Sequence, residues 1–295
     1  MEAVLQDARY ALRQWRKSPG FTLTAVLTLA FGIGATTAIF SVVEGVLLRP
    51  LPFADPSALV TLGDIVEGVQ YGAETPGVTP PGVRTYIRDT RAFSKLGGYR
   101  TSTYELSGLG NPTQINAARL TASLLPVLGV SPLLGRFFTP QEDEGSQMVA
   151  VLSYQTWRGR FHGDANVLGQ KVFLDRKPYE IIGVMPRDFE FPLNPGQLNR
   201  SELWVPMSFT QAELIQGAGN WGYYLVGRLK PGVTPAQAQQ DAIGAAREIM
   251  HSFPPALSGR RIHPAVQRLD EATVAQARPL VATLFLAVTV VLFIA

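Results

Sequence analysis

The chain has 295 residues, 46% of them hydrophobic and only 17% charged, and its net charge is +3. It contains no cysteine, which excludes a disulfide framework, thiolate chemistry and a zinc-thiolate site. Part of the positive charge sits in the amino-terminal leader, and no dense Lys/Arg stripe with interleaved aromatics follows it, so nucleic acid is not an expected partner.

In the leader, Leu5, Ala8, Leu12 and Trp15 recur at helical spacing opposite Arg9, Arg13 and Arg16. This is the pattern of an amphipathic helix over residues 1–20 lying on the inner membrane surface, with Trp15 at headgroup level and Arg9, Arg13, Arg16 and Lys17 as a cytoplasmic anchor. A plain soluble cap on the next element is the alternative. From Phe21 to Val43 the chain carries no charge. At about 1.5 Å per residue this run rises about 34 Å, enough to cross a hydrocarbon core of about 30 Å. A secretory signal would have a shorter apolar core and a small-residue cleavage site after it; Glu44-Gly45-Val46-Leu47-Leu48-Arg49-Pro50 offers none. A first transmembrane helix is therefore expected over 21–48. The basic residues crowd its amino-terminal side, which places that side in the cytoplasm. Ala30, Gly34 and Ala38 fall on one face at intervals of four, widened by Gly32, Thr37 and Ser41. Small faces let membrane helices approach closely, so packing against another helix is expected there.

The next part, of about 225 residues, is long enough for a substantial core and is punctuated by proline and glycine. Its two ends read alike. The first unit is a strand at Ser57–Val66, a helix opening at Thr79-Pro80-Pro81 and running to Thr90, and a strand at LGGYRTSTYEL. The second is YYLVGRL from Tyr223 to Leu229, a KPGV turn, a helix from Pro235 to about Met250, and RIHPAVQRL. Thr234, Pro235 and Gln237 form the capping box of that second helix. Two βαβ units of this kind predict an α+β domain with one two-layer subdomain built from both ends. Between them, about 111–222, an inserted mixed subdomain is expected. It holds a buried strand MVAVL, a helix SYQTWRGRF capped by Ser153, a hairpin turning at Asp175-Arg176-Lys177-Pro178, and a strand ELWVPMSF. After Pro279 the chain is again uncharged from Leu280 to Ala295. That run rises only about 24 Å, so residues 279–295 are expected to be the truncated start of a second transmembrane helix, leaving 49–278 outside the membrane.

Little in the sequence points to chemistry. GAGNWG, Gly217 to Gly222, fits G-x-G-x-x-G, but the dinucleotide fingerprint needs a strand before it and a helix after it; here the helical TQAELIQ precedes and a strand follows. No G-x-x-x-x-G-K-[ST] occurs, so any ATP energy is expected through a partner ATPase. His162, His251 and His263 lack a ligand spacing. Glu142, Asp143 and Glu144 follow Thr139 and read as helix-dipole residues, and Trp157 and Trp204 as core anchors. No catalytic, cofactor or metal residue is assigned, and no nucleophile, base and orienting group come together for an enzyme.

The segments LRQWRKSPGFTLTAVLTLAFGIGATTAIFSVV, LLRPLPFADPSALV, NAARLTASLLPVLGVSPLLGRFF, VLSYQTWRGRFHGDANVLGQKVFLDRKPYEIIGVMPRDFEFP and VGRLKPGVTPAQA together resemble the MacB/FtsX-like permeases of ABC-type systems, of the acidobacterial duplicated type. The resemblance covers essentially the whole chain. It implies a permease subunit of the bacterial inner membrane, with a MacB-like periplasmic core domain at about 50–278 and further spans. Implied partners are membrane lipid, a cytoplasmic ABC ATPase, a second protomer or permease half, and periplasmic proteins. The implied function is export or transmission of force; the alternative is an envelope signalling or scaffold protein that regulates a periplasmic partner. Members that carry their ATPase on the same chain place it upstream of the span, where this sequence has none.

Overall fold

The computed structural model describes residues 18–43, 51–68, 76–193 and 200–275 apart from 252, 254 and 258, with 283, 286, 289 and 290 beyond them. The leader, including Arg9, Arg13, Trp15, Arg16 and Lys17, and most of the apolar carboxy-terminal run lie outside the described residues. Contacts divide the chain into Met1–Arg49 with Val274–Ala295, and Pro50–Thr273.

In the first unit, helix α1 (Pro19–Val43) runs for 25 residues without an acidic first turn or a basic last turn. The hydroxyls of Thr22, Thr24, Thr28, Thr36, Thr37 and Ser41 each donate to the carbonyl four residues back, at 2.7–3.0 Å. Bonded within the helix, they need no water. Ala30 and Gly34 are exposed on α1; Ala38 is helical, and its side chain is outside the described set. Among the described residues no helix is long and apolar enough to cross a membrane. The side chains at several positions of α1, among them 25, 29, 35 and 38–40, lie outside the described set, and membrane crossing is taken up below as a proposal.

The second unit begins with β1 (Leu59–Val66), α2 (Pro80–Asp89) and β2 (Phe93–Ser107), and ends with β9 (Tyr224–Leu229), α7 (Pro235–His251), β10 (Ile262–Arg268) and α8 (Leu269–Ala275). Thr79 caps α2 by accepting from Gly82 N, and Thr234 and Gln237 exchange the two bonds of the expected capping box. The strand order is β10-β1-β9-β2, all neighbours antiparallel. This is the split βαβ arrangement, in which each helix returns the chain across a strand supplied by the other half. α2 and α7 cover one face. The apolar stripe Ala238, Ala242, Ala245, Ala246 and Ile249 of α7 meets Val60, Leu62, Val66, Leu225 and Val266 of the sheet, and four alanines let the helix lie close to the strands.

Between these halves come β3 (Thr113–Leu120), α3 (Leu124–Leu128), β4 (Leu134–Gly135), α4 (Pro140–Glu144), β5 (Val149–Leu152), α5 (Tyr154–Arg160), β6 (Lys171–Leu174), β7 (Lys177–Val184), β8 (Leu203–Pro206) and α6 (Gln211–Gln216). The segment expected as a separate subdomain shares the sheet: β2 pairs β3, β3 pairs β8, β8 pairs β5 and β5 pairs β7. Strand β6 then pairs both β7 and β2, so β2-β3-β8-β5-β7-β6 closes into a small barrel. Each of its six strands sends alternate residues inward, Leu106, Ile115, Ala117, Leu203, Val205, Ala150, Leu152, Ile181, Val172 and Leu174 among them, and closure removes the exposed edges a sheet would otherwise present. The β6-β7 hairpin turns on Asp175 and Arg176, with φ of 47° and 64°, between paired Leu174 and Lys177. Two successive positive φ values give the turn whose twist matches the strands.

A third core lies on the face of the open sheet opposite the helices. It joins Leu59 and Val226 to α3, Phe53, Phe189, Phe191 and Trp204. Gly97 makes this packing possible, because a Cβ there would lie 2.5 Å from Leu124 Cα.

Candidate functional site

The chain enters and leaves the second unit side by side. β1 and β10 are antiparallel neighbours with Val60 opposite Arg268, so the segment before β1 and the helix after β10 emerge at one end of the sheet. Two arginines fasten that end. From β9, Arg228 donates through Nε to the Val127 carbonyl at 3.1 Å, through Nη1 to the Asp55 carbonyl at 3.0 Å, and through Nη2 to the Ala54 carbonyl. From β10, Arg268 donates to the Ser57 carbonyl at 3.2 Å and forks onto Asp270 at 3.0 and 2.7 Å. The fork holds the Asp270 carboxyl below its usual value. A rigid guanidinium with five donors suits this work, since it can bind several backbone oxygens of an irregular segment at once.

Aromatic rings lead inward from the same segment. Phe53 is buried and packs on Phe189 and Phe191, each at 6.3 Å. Phe191 meets Tyr99 of β2 edge-on at 4.8 Å, Phe189 meets Trp204 of β8 at 5.2 Å, and Trp204 Nε1 donates to the Phe191 carbonyl at 2.8 Å. The entry segment is thereby packed through rings onto the barrel wall. β2 forms a second connection. Its 15 residues pair β9 from Phe93 to Tyr99 and β3 from Tyr99 to Leu106, a continuous rod of about 45 Å at about 3.3 Å per residue.

Where the open sheet meets the barrel, Arg119 of β3 binds the carbonyls of Met207 and Ser208 and forks onto Glu213 of α6 at 2.6 and 3.1 Å. The Tyr223 hydroxyl donates to the same carboxylate at 2.9 Å, and Arg100 donates to that hydroxyl at 2.7 Å while lying over the ring. Burial works to raise the Glu213 carboxyl, but the bonds from Arg119, Thr210 and Tyr223 outweigh it and hold the group at about 2. Of the acids expected to be dipole residues, Glu142 completes a capping box with Thr139 and pairs with Arg136 at 2.7 Å. Asp143 accepts from Ala122 N and Ser208 N. Trp204 is fully buried; Trp157 is half-buried, its Nε1 donating to Asp164 O. His162 and His251 are exposed, and His263 pairs with Glu67 at 2.7 Å. Among the described residues no cluster of His, Asp or Glu could hold a metal ion. Gly217–Gly219 is a 3-10 turn, after a helix and before β9.

The MacB-like periplasmic core domain matches residues 22–245, most of α1 and the second unit as far as the middle of α7. The chain belongs to this family. The macrolide export ATP-binding/permease protein MacB of Salmonella paratyphi A is 29% identical over 228 residues, 74% of this chain and 33% of that protein. MacB 1 of Yersinia pestis bv. Antiqua is 24% identical over 241 residues, 79% of this chain and 36% of the relative. The chain thus spans about a third of the length of these MacB proteins. A solved domain of a protein described as a permease, from Porphyromonas gingivalis, shares the fold with a TM-score of 0.52 at 16% identity, over 74% of this chain and 93% of its own. As a MacB-like core, the second unit is a mixed α/β domain of the kind found on the outer side of such permeases. The residues that fasten its entry and exit, Phe53, Arg228 and Arg268, carry no motif, since their partners are backbone oxygens and rings distant in sequence.

Proposed function

We propose that this chain is a permease subunit of an ABC-type, MacB/FtsX-like export or force-transmitting system of the bacterial inner membrane. On this reading α1 crosses the membrane from a cytoplasmic amino terminus, Pro50–Thr273 lies in the periplasm, and a separate cytoplasmic ATPase drives it through the leader around Arg9–Lys17. The small face at Ala30, Gly34 and Ala38 packs against another membrane helix or a second copy of the chain. The observation that carries the proposal is the placement of entry and exit at one end of the sheet, fastened by Arg228 and Arg268. A shift of paired membrane helices would reach both strands together, and close-packed elements move as bodies. The chain's lack of cysteine makes the topology directly testable. A cysteine at Gln239 should react with a membrane-impermeant maleimide in spheroplasts, and one at Gln6 only after lysis. The reverse pattern removes the proposal. Coupling is tested by ATP turnover of a co-purified ATPase, which Arg228→Ala should uncouple from transport.

A second reading, a regulator of a periplasmic partner, is favoured by apolar exposure on the barrel: Leu109 (43%) and Phe173 (39%) stand at the end where β2 pairs with β6. An envelope hydrolase that the chain activates without ATP-dependent cargo movement would support this reading over export.

A further inference from the structure

Asp64 stands on β1 with its side chain beneath the helices, between Leu62 and Val66, and is fully buried. One carboxylate oxygen accepts from the Tyr86 hydroxyl of α2 at 2.5 Å. The other is buried and has no hydrogen-bond partner among the described residues. Among the described residues no cation is bonded to it. On α2, Arg84 and Arg88 are exposed, and Arg88 is paired with Asp89. On α7, Arg247, Glu248 and His251 are exposed, and Asp241 accepts from the amides of Arg91 and Ala92. On β10, His263 is exposed and paired with Glu67, Arg268 is occupied by Asp270 and Ser57, and the residue opposite Asp64 is Pro264. On β9, Arg228 is bonded at the entry segment.

We propose that Asp64 is a proton-operated brace: neutral, it lets α2 and α7 close on the sheet through Tyr86, and ionised, it loosens that layer. The consequence extends beyond the helices. α2 begins at Pro80, against which Gly217 packs so closely that a Cβ there would lie 2.7 Å from Pro80 Cγ. Gly217 ends α6, the helix carrying Glu213 to Arg119 of the barrel. Loosening of α2 therefore reaches the junction of open sheet and barrel. Burial raises the Asp64 carboxyl to about 7, against a lowering contribution from the Tyr86 hydrogen bond. A carboxyl raised on folding contributes stability that is fully present below its unfolded value near 4 and lost as pH rises toward 7. The brace operates whichever reading of function holds.

The test is equilibrium unfolding of the full chain in detergent micelles, by urea and tryptophan fluorescence, at intervals from pH 5 to pH 8. Between those limits the wild-type unfolding constant should rise roughly a hundredfold more than that of Asp64→Asn, whose comparison cancels the histidines common to both. Tyr86→Phe removes the one bond that favours the ionised form, so its transition should move to higher pH. If Asp64→Asn does not fold, the Tyr86→Phe profile decides by itself. Equal pH dependence in wild type and Asp64→Asn, or a Tyr86→Phe transition unmoved or moved to lower pH, overturns the proposal.

Discussion

The open sheet and the barrel share β2 and are stabilised in opposite ways. In the open sheet, strands from residues 59–99 pair with strands from 224–268 across the looped-out insert, and its helices pack through alanines, Val83, Tyr86 and Ile249 onto aliphatic strand residues, with the buried carboxyl of Asp64 bonded to Tyr86. The barrel draws on residues 99–206, closes on itself and fills its interior with aliphatic side chains. Loop closure costs more entropy, slowly, as length grows, and non-local pairing is intrinsically slow to form. The comparison teaches that the barrel is sealed by one continuous stretch of chain, whereas the open sheet, where the chain enters and leaves, is covered by a helix layer that has a buried carboxyl, Asp64, beneath it.

Trp204→Ala should break the comparison most severely, because it empties the contact between the two regions. A fully buried Trp lost to Ala costs about 3–5 kcal/mol, read as a fall in the urea midpoint, with the bond to the Phe191 carbonyl lost as well. Arg228→Ala should cost about 2 kcal/mol, from lost charge-assisted bonds to three carbonyls. Its distinguishing sign is hydrogen exchange that rises in residues 51–58 and not in β5 or β8. Gly97→Ala forces a methyl onto the Leu124 backbone and should cost about 1–3 kcal/mol, seen as a midpoint shift without loss of the barrel's near-ultraviolet signal.

Much of this was legible in the sequence. The capping residues Thr139, Ser153 and Thr234, the helix opening at Thr79-Pro80-Pro81, the DRKP hairpin and the two βαβ units all speak through local spacing, and the structure places each in that role; the cap at Thr210 was missed. Barrel closure was not legible, because β6 meets β2 through a register that no local pattern encodes. The arginine fastening was hidden for a related reason: Arg228 binds carbonyls, which every residue has. Asp64 was not singled out in the sequence, because Tyr86 becomes its partner only once α2 folds back on β1.

Two smaller effects sharpen the comparison. Glu213→Gln should cost about 1 kcal/mol, as one charge-assisted pair is replaced by neutral bonds. The Glu213 carboxyl is held at about 2, so its contribution is present above about pH 4.5 and lost as pH falls toward 2. Acid unfolding should be shallower in the variant. Gly34→Leu should leave the urea midpoint of the external unit unchanged within about 0.5 kcal/mol while abolishing co-purification of a second protomer or permease half.

The most direct test is a distance between spin labels at Ser57→Cys, in the fastened entry segment, and Asn111→Cys, beyond the far end of β2, in the full chain reconstituted with its ATPase. The prediction is one narrow distance, the same with ATP as without it, broadened by Arg228→Ala. A broad wild-type distribution, or one that changes with nucleotide, would mean that entry segment and barrel are not joined as a lever.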